Sequence, residues 1–246
     1  MITAKICAER FEEAISTLAR VFTVFEGLLP GPVLVDTAHG KSPRYRPELL
    51  EHALLMKLAR VISVTEAMRI LVKAGHVHEQ GILQRVHDET AEDILFLALG
   101  KKNGIRSIHR QYLKHFWREE FDGPADPATY KMRHMVRRSE IEEYIAKQIP
   151  LDYGVVGRMI YGVFSGFIHG ASTHIFDLIN PRSLKYQLTG VADAADRLGY
   201  FQNALNYPLR SLMAAVVVAQ ALGEQGIAAD LLARSDNLQA WMDKVR

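Results

Sequence analysis

Arg158, Tyr161, Ser165 and His169 fall in one narrow sector of a helix spaced at about 100° per residue over 155–171. The rest of that helix carries Val156, Met159, Ile160, Val163, Phe164, Phe167 and Ile168 across more than a third of its circumference. A helix this apolar is buried. Its tyrosine, serine and histidine then need hydrogen-bond partners, or they cost about 1 to 3 kcal/mol each. Among the three, His169 is the group able to take up or release a proton near neutral pH. Gly162, Gly166 and Gly170 lie beside the stripe, and each helix-interior glycine costs about 1 kcal/mol against alanine. Close approach of a neighbouring element is the compensating reason.

The helix expected over 77–99 supplies polar partners. Glu89 and Asp93 fall between Ile82, Val86, Phe96 and Leu97 on its apolar face, with Arg85 one turn before Glu89. Acidic residues are almost never fully buried unpaired. We therefore expect His169 to be buried and hydrogen-bonded in one cluster with Tyr161, Ser165 and at least one of Arg85 and Glu89. Two readings of such a cluster stay open. It is either a structural network that fixes the packing of two helices, or a catalytic group.

A helix bearing Arg85-x-x-x-Glu89, paired with a later helix bearing Tyr161-x-x-x-Ser165-x-x-x-His169-Gly, resembles a widespread, uncharacterised bacterial all-helical family. That family is in turn similar, more distantly, to the HEPN helical domains of toxins and phage-defence ribonucleases. The resemblance covers roughly residues 48–172. It implies a helical core, often dimeric, whose buried histidine, His169, acts near the partner subunit in metal-independent RNA cleavage; on this sequence Arg85 of the neighbouring helix would then supply the phosphate contact, with His169 as acid or base and Glu89 orienting either. The sequence departs from the pattern at one point. HEPN ribonucleases place an arginine four to six intervening residues before the histidine, and here those positions are Phe164, Val163 and Gly162. Arg158 shares the stripe, but at 1.5 Å per residue its backbone is about 16 Å away.

Two basic rows suit a polyanion such as RNA. Arg106, Arg110, Lys114 and Arg118 recur on the polar side of a helix over 105–121, and Arg137 and Arg138 belong to a second cluster in a helix over 126–148. Like charges at i, i+4 repel by a few tenths of a kcal/mol, so such a row fits a phosphate backbone or a solvated face balanced by nearby glutamates. His76, His78 and His87, with Glu79 and Asp88, diverge too far for a metal centre and are expected at the surface. Glycine motifs for nucleotide phosphates and a G-x-S-x-G nucleophile turn are both missing, so no metal and no cofactor is expected.

The elements that must hold these groups read as all-α. Helices are expected over 4–26, 48–74, 77–99, 105–121, 126–148, 155–171 and 199–223, the last kinked at Pro208, followed by two short helices ending at Trp241. Residues 27–47 read as a long loop, and 101–104 as a turn. This gives an N-terminal helix and loop over 1–47, a core helical domain over 48–172, and C-terminal helices over 173–246 packed on it. The 246 residues, 48% hydrophobic and 24% charged, exclude a disordered or fibrous chain. A net charge of +2 carries no bulk signal for nucleic acid. One cysteine excludes an internal disulfide and fits a reducing, cytoplasmic setting. The longest apolar run, Leu212 to Ala219, is too short to span a bilayer, so no membrane partner is expected. RNA and a second copy of the chain are the expected partners. The alternative is a non-enzymatic binding or scaffold module whose polar cluster is structural.

Overall fold

Thr3 opens the first helix, its hydroxyl accepting the Ile6 N–H at 3.3 Å, which satisfies one of the first-turn donors. The structure is a computed structural model and describes residues 3–37, 40–117, 136–149, 166–191 and 193–245. Helix α1 (Ala4–Gly27) buries Cys7, Phe11, Ala14, Leu18 and Phe25, a stripe at helical spacing. After a two-stranded ribbon, β1 (Val33–Thr37) and β2 (Gly40–Arg44), come the two long helices α2 (Leu50–Ala74) and α3 (Val77–Asn103). They pack side by side as a helical hairpin. Shorter helices α4 (Ser107–Phe116), α5 (Arg138–Ala146) and α6 (Ser172–Ile175) follow. The chain ends in α7 (Ala194–Ala204), α8 (Asn206–Leu222) and α9 (Gln225–Val245). The protein is all-α apart from the small ribbon.

Helix α8 is central, touching α1, α2, α3, α7 and α9. Leu212, Ala215, Val218 and Ala219 are buried in the main core with Leu54, Leu58, Val61, Ile94 and Leu97. The stretch Leu198–Leu222 is apolar and long enough to cross a membrane, but 56% of its most apolar window is buried inside the protein, as a core helix requires.

Several boundaries differ from the sequence expectation. The loop over 27–47 contains the ribbon, with Val33 opposite Arg44 and Thr37 opposite Gly40. Its base is pinned to α2 by one imidazole: His52 Nδ1 accepts the Leu49 N–H at 3.4 Å, so Nε2 carries the proton and donates to the Pro30 carbonyl at 3.1 Å, while Tyr45 stacks on the ring at 4.2 Å. Helix α3 continues through the expected turn to Asn103, because Lys101 and Lys102 suit the negative end of the helix dipole and Gly104, at φ 98°, ends it. The expected helix over 199–223 is interrupted at Leu205, between α7 and α8, where Pro208 has no N–H for the Ala204 carbonyl four residues back. One helix, α9, replaces the two short ones.

The α2–α3 corner is closed by backbone contact. Gly75 has φ 85° and caps α2 in the left-handed region; Val191 donates its N–H to the Gly75 carbonyl at 2.8 Å. A Cβ on Gly75 would stand 2.4 Å from the Val191 carbonyl oxygen. Gly75→Ala combines that backbone collision with left-handed strain, so we expect a loss of about 2 kcal/mol or more in urea unfolding. A loss under about 0.5 kcal/mol would show that the corner is not held as described.

Candidate functional site

Asp93 lies on the core-facing side of α3, only 7% exposed, and the fold answers it from three other helices. Lys57 of α2 donates to Oδ2 at 2.8 Å, and Arg138 of α5 donates to Oδ1 at 2.6 Å. Tyr112 of α4 lies beside the same carboxylate, close enough for the Asp93 charge to act on its phenol. Arg138 also grips Glu92 through Nε at 2.9 Å. The Lys57 ammonium stands 5.6 Å over the Tyr112 ring and 5.3 Å over the Phe116 ring. Two cations thus meet two carboxylates inside the protein. Burial opposes the charge on Arg138, but Asp93 and Glu92 outweigh it and hold its proton more tightly than usual. Burial, then the Asp93 charge, pushes the Tyr112 phenol far above its ordinary value.

This centre forms one wall of a cleft of about 560 Å³ between α2, α3, α4 and α5. Arg85, Glu89 and His115 line it as well. Arg85 Nε donates to Glu89 at 2.8 Å, one helical turn away on α3. The Nδ1 atom of His115 is buried without a hydrogen-bond partner.

The expected His169 cluster is corrected in its key member. His169 is exposed, not buried. Tyr161, Ser165 and Arg118 lie outside the described residues. The segment over 166–175 does pack on α3, but through Phe167. A Cβ on Gly81 would stand 2.7 Å from that ring, and His78 meets its edge at 5.4 Å. What fills the space beside Gly166 is His174 of the same segment, whose ring a Cβ there would meet at 2.2 Å. Gly170, at φ 61°, is where the local helix stops.

The basic residues divide. Arg106, Arg110, Lys114 and Arg137 are exposed, and none of them joins an ion pair among the described residues. Arg106 reaches across to α5, 5.5 Å over the Tyr144 ring. Arg138 leaves the row. It turns inward to Glu92 and Asp93 because two buried carboxylates outweigh hydration of one surface guanidinium.

A second polar centre was not foreseen. His87, expected at the surface, is wholly buried, as are Thr65 and Ser211. Ser211 Oγ donates to the Tyr207 carbonyl at 2.8 Å, so it accepts from His87 Nε2, also at 2.8 Å. Thr65 Oγ1 is 2.8 Å from the same oxygen and is also bonded to the Val61 carbonyl at 2.7 Å. Asp88 lies 3.4 Å from His87 Nδ1 and accepts from Arg210 at 2.6 Å. Serine, histidine and aspartate stand in hydrolase order, but with Ser211 at 0% exposure no substrate reaches the hydroxyl. Burial lowers the His87 pKa, against the smaller opposing effect of Asp88. Among the described residues no cluster of three or more His, Cys, Asp or Glu is arranged to hold a metal ion.

Lys57 and Tyr112 of the first centre were also missed. The signal for Lys57 was a lysine set inside the apolar run Leu54-Leu55-Met56-Lys57-Leu58. No model of a known protein family, no curated protein and no solved structure matches the chain.

Proposed function

We propose that the protein is a non-enzymatic helical module that binds RNA on the basic face of α4 and α5, with the ion-paired centre beneath serving structure. The observation that carries this reading is the exposed i, i+4 row of Arg106, Arg110 and Lys114, extended by Arg137 at the start of α5. The three cations of the α4 row repel one another, and a phosphate backbone relieves that repulsion. A reducing, cytoplasmic setting goes with this reading, since Cys7 is a buried free thiol.

The test is fluorescence anisotropy of labelled single-stranded RNA titrated with the parent and with Arg110→Glu/Lys114→Glu. Loss of two phosphate contacts should weaken binding about tenfold or more and reduce the salt slope by about 1.4, with the melting temperature unchanged. Equal binding by parent and variant, or no binding by the parent, would sink the proposal.

A second reading, HEPN-like metal-independent RNA cleavage, is favoured by the exposure of His169, which leaves its imidazole open to a substrate. Incubation of the same RNA in EDTA separates the two. Cleavage by the parent and a loss of about a hundredfold or more in a folded His169→Ala protein supports the enzyme. Intact RNA with both proteins leaves binding alone.

A further inference from the structure

Among the described residues, three helices begin with a side chain in their first turn reaching back to the backbone N–H just before the helix, a task that glutamate or glutamine ordinarily performs. In α5 it is the ordinary residue, Glu140, which accepts the Arg137 N–H at 2.9 Å. In α2 and α4 it is a histidine. His52 of α2 carries no part of the basic face. His109 of α4 does: its Nδ1 accepts the N–H of Arg106 at 3.0 Å, and Arg110 follows it directly.

The His109 ring is fully buried. It stacks on Phe96 of α3 at 4.4 Å, meets the edge of Tyr144 of α5 at 4.6 Å, and covers Gly100, where a Cβ would stand 2.6 Å from Nε2. The imidazole thus fastens the first turn of α4 to two other helices as well as capping it. A ring that accepts an N–H on Nδ1 carries its one proton on Nε2 and is neutral. A second proton has to enter at Nδ1, where it faces the Arg106 N–H and ends the cap. Burial opposes that charge first, and Arg106 and then Arg110 of α4 repel it. From α3 and α5 the ring meets Phe96, Gly100 and Tyr144, and among the described residues no carboxylate pairs with it. Gly104, at φ 98° with open space around its Cα, is the joint between α3 and this turn.

We propose that His109 is a proton-operated latch on the RNA-binding face: on taking up a proton it leaves its pocket, the first turn of α4 opens, and Arg106 and Arg110 lose their alignment for phosphate. This rests on the RNA reading above and adds its regulation. The alignment depends on that turn, since the Arg110 N–H donates to the Arg106 carbonyl at 3.2 Å and its guanidinium to the Ile105 carbonyl at 2.9 Å. Release begins below about pH 6.5, where an exposed histidine takes up a proton and the buried one refuses it. Each further pH unit favours the opened turn about tenfold until the buried ring also titrates. A phosphate on Arg106 relieves part of the repulsion but neither the burial nor the lost cap, so the net direction is release in acid.

The experiment compares the full chain with His109→Gln at pH 7.5 and 5.5, reading the anisotropy of labelled oligouridine and the hydrogen exchange of residues 105–113 corrected for the intrinsic rate. Glutamine keeps an acceptor for the Arg106 N–H and takes up no proton, while every other histidine is shared by the two proteins. In the parent, the drop to pH 5.5 should speed exchange of the segment about tenfold and weaken RNA binding about threefold or more. His109→Gln should show neither change. A parent whose segment exchanges equally at the two pH values overturns the latch without reference to the variant, and so does a variant as acid-sensitive as the parent. Equal RNA binding by the parent at both pH values overturns the regulation and leaves the RNA face standing. No RNA binding at pH 7.5 sinks both.

Discussion

Arg138→Ala lowers the melting temperature by about 10 °C. The guanidinium is the shared partner of Glu92 and Asp93, whose side chains are 17% and 10% exposed. Removing it leaves two poorly hydrated carboxylates beside one another with only Lys57 to offset them. Breaking a buried pair from one side costs about 3 to 5 kcal/mol, and each kcal/mol moves the midpoint by about 2 to 4 °C in a chain of this size. Arg138→Lys keeps the charge but loses the fork that spans both acids, and should fall between parent and alanine variant. Replacing Asp93 and Arg138 together by leucine should cost less than the sum of the single changes, since neither charge is then stranded. A drop of only a degree or two for Arg138→Ala would mean that the centre is hydrated and unimportant to stability. Loss of RNA binding without a change in melting would return Arg138 to the surface row.

Stability falls as the pH drops below about 6.5, well above the range in which carboxylates protonate. Burial lowers the pKa of His87, with Asp88 opposing and Arg210 assisting. Burial also lowers that of His109, helped by Arg106 and Arg110. His109 is fully buried, stacked on Phe96 at 4.4 Å, and its Nδ1 accepts the Arg106 N–H at 3.0 Å to cap α4. In both cases the unfolded chain takes up a proton near pH 6.5 while the folded chain refuses it. Their stabilising contribution is complete above the unfolded pKa and is lost as the pH falls from there toward the folded value. Each histidine contributes up to about 1.4 kcal/mol per pH unit within that interval. Urea unfolding at a series of pH values between 8 and 5 should show a plateau, then a decline, and His87→Gln should remove about half of the slope. A free energy that stays level from pH 7 to 5 would mean that both rings titrate normally.

How far the site could be read in advance depended on sequence distance. Asp93 stands out because an acid on an apolar helical face is visible in periodicity alone. Its partners are not visible, since Lys57 and Arg138 lie 36 and 45 residues away on other helices and only the packing of α2, α3 and α5 selects them. His87 was assigned to the surface because it points off the Glu89 side of α3. That helix is covered on more than one side, by α2 and by α8, so a position off the first apolar face is still interior. The ribbon escaped notice because Val33, Leu34 and Val35 are consecutive apolar residues without alternation, set in a segment rich in glycine and proline. The all-α class was legible throughout, since helical periodicity is local. The burial of His169 was inferred from the stripe around it, but Gly170 ends the helix beside it and leaves the imidazole in solvent.

Ser211 joins Thr65 and His87 across sequence separations of 146 and 124 residues. During synthesis, α2 and α3 therefore emerge long before the serine that completes their hydrogen bonding, and their buried hydroxyl and imidazole wait inside an apolar surface that nothing yet covers. A nascent chain ending before α8 is not a smaller finished domain. It holds two long helices with an uncovered apolar face and a polar seam met only by water, open to misassembly until the last third of the protein arrives.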